Sequence, residues 1–373
     1  MSFHSRMTLK ASRLAAVLVL AFAGTAQAQT SQVQLPVPPG EAVNLTLSAD
    51  GRVASRDLAR GVYQVVHSAA TGRLYVASSE AIPNVRGGVI YELDRESLAV
   101  TGLIHTDEKN FGLALGAEGR VLYVGHSVGN AVSAIDLKEG KVLARTTFTE
   151  RSADGTRYGP RELAYDTTSD TLYVGGVGDP GRIWALDGKT LDVKASIGDA
   201  GKWVTGLLVD AEANRLYAAN GSGEVLVIDR TTHAITERWR PEGGKEYLLL
   251  NFALDRATHR LFVSDHSKAK TIVVFDTRTG KTIRELDGVG ESMDLLLSPD
   301  RRTLYATHRE RGTVTAIDTE SYETTATFPL PPNPNSLLLS PDAKTLYVTV
   351  KTPFTKDYHA SGWERIARIR LAP

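Results

Sequence analysis
The chain has 373 residues with 43 basic side chains, 43 acidic ones and no cysteine, so its formal net charge is zero. That balance excludes a globally basic nucleic-acid footprint, and any such contact must come from a local patch. The lack of cysteine excludes disulfides, c-type haem attachment and thiolate metal sites, and the nine histidines show no metal-ligand spacing. No metal and no cofactor are expected.

In chain order, residues 1–28 read as an export signal. Arg6, Lys10 and Arg13 form a basic start, residues 14–23 are apolar, and Ala26-Gln27-Ala28 is an A-x-A cleavage site. The apolar run breaks at Gly24 and is shorter than the ~20 residues a membrane helix needs. The mature chain is therefore expected in the periplasm, cleaved after Ala28, without a membrane span. It retains 40 basic and 43 acidic side chains. Residues 29–51 are rich in Pro and Gln and read as a linker or arm; residues 52–373 read as one domain.

That domain repeats one phrase. Residues 122–136, LYVGHSVGNAVSAID, read as a strand, a Gly/Asn turn and a second strand ending in aspartate. A Leu-aromatic pair recurs at Leu74-Tyr75, Leu122-Tyr123, Leu172-Tyr173, Leu216-Tyr217, Leu261-Phe262, Leu304-Tyr305 and Leu346-Tyr347. The intervals of 42 to 50 residues each hold four short strands. A repeat of this length with strand chemistry predicts an all-β, seven-bladed β-propeller. The last repeat supplies only three strands, at 336–340, 345–350 and 365–371, while an extra strand reads at 52–58. Pairing the two ends closes the last blade with an N-terminal strand and removes two sheet edges. Asp94, Asp136, Asp187, Asp229, Asp276 and Asp318 end third strands and are expected to accept hydrogen bonds from the following turns.

Loop phrases beyond the repeat add to this: Lys109-Asn110-Phe111-Gly112, Pro160-Arg161-Glu162-Leu163, Gly201-Lys202, Thr205-Gly206, Gly244-Lys245-Glu246, Thr307-His308-Arg309, Pro334-Asn335-Ser336 and Val350-Lys351. With these phrases and its YVTN-type repeats (Tyr347-Val348-Thr349, with Val350 in place of Asn), the chain resembles the YncE-like periplasmic seven-bladed propellers over residues 52–371. The resemblance implies an exported, non-enzymatic propeller for which single-stranded DNA binding has been proposed. It supplies no catalytic residues.

Two catalytic spellings are set aside. Gly125-His126-Ser127-Val128-Gly129 matches a nucleophile elbow, which needs a strand-to-helix turn, but a strand follows it here. Gly176, Gly178 and Gly181 match a dinucleotide fingerprint, which needs a helix start, and a strand follows there too.

In a propeller, the loops entering inner strands and those joining second to third strands share one face at the channel mouth. On that face the candidate ligand-binding set is Lys109, Phe111, Arg161, Glu162, Lys202, Trp203, Asn251, His308, Arg309, Asn335 and Lys351, with Tyr158, Lys245 and Tyr247 on neighbouring loops. Cations interleaved with aromatics suit single-stranded nucleic acid or a small anionic ligand. An envelope protein is a further candidate partner. The same residues equally suit ties between adjacent blades and packing of the loops. The competing enzyme reading is a periplasmic lactonase-like hydrolase using Glu162 and His308 as acid and base near Arg161.

Overall fold
The structure, a computed structural model, describes residues 45–371. The export signal expected at 1–28 lies outside the described residues. Seven antiparallel sheets follow one another, six of four strands and one of five. The first blade runs Val62–Ser68, Arg73–Ser78, Gly88–Leu93 and Val100–Thr106 from the channel outward. Five further blades repeat that order. The last combines Pro334–Leu339, Thr345–Val350 and Glu364–Arg370 with the N-terminal strand Val53–Ala59. The ring is therefore closed as expected, with Val53 opposite Ile369 and Ala59 opposite Glu364. Thr46–Leu47 adds a short fifth strand outside Val53–Ala59, so the end of the segment read as a linker is an edge strand.

The Leu-aromatic pair explains how blades stack. Second strands are covered on both faces, and adjacent side chains point to opposite faces. Each Leu therefore faces the preceding blade and each aromatic the following one. Leu122 packs into the core that holds Tyr75, Leu172 into that of Tyr123, and Leu216 into that of Tyr173. The pattern continues with Leu261 and Tyr217, Leu304 and Phe262, Leu346 and Tyr305, and returns to Leu74 and Tyr347. All seven leucines are fully buried. The hydrophobic core is thus seven junctions, each shared by two blades. Tyr123 also donates to the Gly188 carbonyl of the next blade at 2.6 Å.

The six recurring aspartates act as expected. Asp94, for example, accepts from the N–H groups of Glu96 and Ser97, and Asp229 from those of Thr231 and Thr232. Asp136, Asp187, Asp276 and Asp318 accept in the same way from their own turns.

Candidate functional site
The channel mouth is shaped by a repeated backbone irregularity. Inner strands shift register near their start, between Val62 and Val65, Pro160 and Glu162, Val204 and Gly206, Leu249 and Phe252, and Pro334 and Leu337. A β-bulge bends its strand and re-aims a side chain. In five of the seven blades the shift falls at two consecutive residues, and the equivalent residues of blades 2 and 6 directly precede the inner strands Leu113–Leu115 and Leu295–Leu297. The pairs are Tyr63-Gln64, Phe111-Gly112, Arg161-Glu162, Thr205-Gly206, Leu250-Asn251, Met293-Asp294 and Asn335-Ser336. A cavity of about 60 Å3 that opens at the mouth is lined entirely by members of these pairs.

Several of these side chains tie one blade to the next. Gln64 Oε1 accepts from the Leu113 N–H at 2.6 Å, and Asp294 Oδ2 accepts from that of Leu337 at 2.8 Å. Asn251 Nδ2 donates to the Met293 carbonyl at 2.8 Å, and Asn335 Nδ2 to the Tyr63 carbonyl at 3.3 Å. Blade 2 has glycine at this level because a Cβ on Gly112 would lie 2.2 Å from the Arg161 carbonyl oxygen.

Blade 3 differs. Arg161 places its guanidinium 5.4 Å from the Tyr63 ring centre and makes no ion pair within 4 Å among the described residues. Glu162 meets the Gln64 amide. Burial, and next the nearby Asp294 carboxyl, push Glu162 up to about 8, against the opposing pull of Arg161 and Gln64. Burial pushes Asp294 up to about 7, opposed by the N–H groups of Leu337 and Leu295. Two carboxyls in one confined site cannot both ionise cheaply.

Beside Arg161 stand two more cations. Arg309 follows the second strand Thr303–His308; its Nε donates to Asn333 Oδ1 at 3.2 Å and its Nη1 lies 3.6 Å from Met293 Sδ. Burial, with the charge of Arg161, holds its pKa below the ordinary arginine value. Lys351 is 3% exposed and donates to Glu364 Oε2 at 3.0 Å and to the Val62 carbonyl at 2.7 Å. Its ammonium also sits 3.7 Å from the Tyr63 ring centre. These partners occupy its donors and Glu364 offsets its charge, so Lys351 serves as a tie between blades 7 and 1.

Other members of the expected set serve the scaffold. Lys109 Nζ donates to the carbonyls of Ser79 and Glu80 at 2.8 and 3.0 Å, and Phe111 packs 4.6 Å from the Tyr63 ring. His308 is fully buried, with Nδ1 3.2 Å from the Gly290 carbonyl and Nε2 2.7 Å from Thr315 Oγ1. His126 in blade 2 makes the same pair of contacts, with Lys109 and Ser133. His308 does not line the cavity that holds Glu162, so the acid–base couple of the hydrolase reading is not assembled. Lys202 covers the Trp203 ring at 4.3 Å, between turns of blades 3 and 4 that Trp203 and Lys202 bond at Gly178 and Gly221. Neither lines the cavity. Tyr158 packs on Trp184, while Lys245 and Tyr247 both bond Glu285.

Ser127 is not a surface turn residue. It is 9% exposed and its hydroxyl donates to the Pro160 carbonyl, fastening blade 2 to blade 3. The Gly176–Gly181 stretch joins the strands Thr171–Val177 and Arg182–Asp187, and no helix begins there. Sequence reasoning missed Tyr63, Gln64, Met293 and Asp294. A signal existed: the residues twelve and eleven positions before each repeat's aromatic are the seven mouth pairs.

Fold and site together define a seven-bladed β-propeller whose polar channel opens at a cationic, carboxyl-bearing mouth. Among known proteins, residues 39–325 match the family model described as "Outer membrane protein assembly factor BamB". YncE of Salmonella typhimurium is 38% identical over 271 residues, covering 70% of this chain and 76% of that one. YncE of Escherichia coli K12 is 38% identical over 243 residues, 64% of this chain and 68% of its own. The chain belongs to the YncE-like propeller family. Solved structures share the fold: a chain of a mitotic checkpoint complex has TM-score 0.68 at 16% identity, covering 95% of this chain and 99% of that one. Kuenenia stuttgartiensis hydrazine synthase has TM-score 0.67 at 18% identity, covering 84% of this chain and 96% of that one.

Proposed function
We propose that this chain is an exported, non-enzymatic binding propeller whose channel mouth takes an anionic ligand. The observation that carries this reading is the Arg161 guanidinium, which lines the cavity with no ion pair within 4 Å among the described residues and stands next to Arg309. Placing like charges together in a confined, low-dielectric site is costly unless an anion joins them. Tyr63 and Phe111 supply flat apolar walls, and Asn251 and Asn335 supply amides. Export to the periplasm is supported by the signal-like residues 1–28 and by the envelope setting in the matched family's description.

Two measurements test the reading. Titrating propionate, phosphate and a labelled single-stranded oligonucleotide into the mature chain is expected to give saturable binding of at least one. Arg161→Ala and Arg309→Ala are each expected to weaken it about tenfold, in the range of lost charge-assisted hydrogen bonds. If the oligonucleotide is the ligand, single strands outcompete duplex and affinity falls as salt rises. Absence of saturable anion binding, or binding indifferent to both substitutions, would refute the proposal. Mass spectrometry of the exported chain is expected to find Gln29 at its N-terminus.

A further inference from the structure
Within each mouth pair, the second residue has a structural task that can be compared between blades. Gln64, Asn251 and Asp294 bond backbone groups of the next blade. Glu162 occupies the same position in blade 3 and makes no such tie among the described residues; the blade it faces has glycine at that level, Gly206. At the first position of the pairs, Arg161 is the one cation among Tyr63, Phe111, Thr205, Leu250, Met293 and Asn335. Blade 3 thus brings a guanidinium and an adjacent carboxyl to the cavity wall, and among the described residues neither side chain bonds the backbone of the next blade. A purely anionic ligand uses the first and leaves Glu162 unexplained. The carboxyl would even repel it.

We propose that the cavity takes a small zwitterion, its acidic group on Arg161 and its ammonium on Glu162, with Asp294 as a second acceptor for the ammonium. This rests on the anion-binding reading and names the class of molecule that fills the site. An ammonium presents three donors. Among the described residues, the Glu162 carboxyl oxygens are shared with the Gln64 amide alone, and Asp294 keeps lone pairs beyond its two backbone bonds. Tyr63 and Phe111 flank the space between with apolar surface, which suits a short methylene spacer. A cavity of about 60 Å3 that is open at the mouth restricts the ligand to the smallest molecules of this class.

The sign of the pH dependence separates this ligand from a simple anion. The charged groups facing Glu162 are Arg161 on its own strand and Asp294 across the channel, with the neutral Gln64 amide bonded to it. Burial keeps both carboxyls largely protonated at pH 6. As pH rises through about 7 to 8 they ionise. An ammonium then gains its counter-charge, whereas a carboxylate on Arg161 meets growing repulsion. Zwitterion affinity therefore rises over this window and plain-acid affinity falls.

The experiment is isothermal titration calorimetry of the mature chain with glycine, β-alanine and 4-aminobutyrate, and with propionate and propylamine as single-charge controls, at pH 6 and pH 8. At least one zwitterion is expected to bind tenfold or more tighter at pH 8 than propionate does. Glu162→Gln is expected to remove that advantage while leaving propionate binding equal or tighter, and Arg161→Ala to weaken both. Unchanged circular dichroism and melting temperature establish that the variants fold; should Glu162→Gln unfold, the opposite pH trends of the wild type decide alone. Equal affinity for propionate and all three zwitterions, or a zwitterion advantage that survives Glu162→Gln, would overturn the zwitterion and leave the anion site standing. No binding of propionate or of any zwitterion overturns the zwitterion, and failure of phosphate and oligonucleotide as well removes the anion reading with it.

Discussion
The carboxyls of this protein fall into two groups that answer pH in opposite directions. Asp94, Asp187, Asp229, Asp276 and Asp318 are held below the usual carboxylate range, mainly by turn N–H groups or, for Asp276, by Arg278. A depressed folded pKa contributes stability above about pH 4 that is lost as pH falls further. Glu162 and Asp294 are raised instead, so the folded state binds more protons than the unfolded one and stability declines as pH rises from about 4 to 8. Glu162→Gln, neutral at every pH, is expected to melt higher than the wild type at pH 8.5 and to flatten that decline. Equal melting curves at pH 8.5 would show that burial does not act on this carboxyl as described. Ser127→Ala removes the hydroxyl bonded to the Pro160 carbonyl and is expected to cost about 1 kcal/mol, measured by denaturant unfolding.

At the scale of the strand, the second strand of each blade decides stability because both its faces are buried. Leu216 is fully buried against Tyr173 of the preceding blade. Leu216→Ala is expected to cost about 2–5 kcal/mol, since two sheets cannot collapse onto the space left between them. Tyr123→Phe keeps the packing and loses only the bond to the Gly188 carbonyl, so about 1 kcal/mol is expected. A loss for Leu216→Ala no larger than that of Tyr123→Phe would contradict a core made of blade junctions. The inner strand has a different role. Its bulge adds little to the core, yet it turns Arg161 and Glu162 to the axis.

For the whole molecule, closure is the cooperative element. Among the described residues, removing residues 29–50 takes away the exposed pairing of Thr46–Leu47 and the turn bonds of Ser48 and Asp50, and is expected to shift Tm by no more than ~4 °C. Removing 29–59 uncovers the edge of Glu364–Arg370 and strips Leu58 from the junction of blades 7 and 1. That chain is expected to aggregate or to melt much lower, because an open ring exposes two edges and an apolar face. Differential scanning calorimetry of both truncations checks it, and like melting of the two would contradict closure by this strand.

The fold was legible because it is periodic. A Leu-aromatic pair every 42 to 50 residues is a local signal, and its alternation requires a neighbour on each face whatever the rest of the chain does. The turn aspartates were legible for the same reason, since they bond within three residues of themselves. The site was legible only in part. Phe111, Arg161, Glu162, Asn251 and Asn335 were expected at the mouth and line it, whereas Lys202 and Trp203 stand apart and His308 lies inside a blade. Loop residues on one face look equivalent in sequence, and only bulges and inter-blade bonds separate those that reach the axis from those that brace the ring. Tyr63 and Gln64 lie within the strand Val62–Ser68 and Met293 and Asp294 just before the strand Leu295–Leu297, and none of the four belongs to a loop phrase that the sequence sets apart. The sequence by itself determined the number of blades, the closing strand and the turns, because these follow from periodicity and local hydrogen bonding. Tertiary structure alone decided which charges are ion-paired, because Lys351 meets a carboxylate within 4 Å whereas Arg161, among the described residues, meets none, and that difference depends on how separate blades meet.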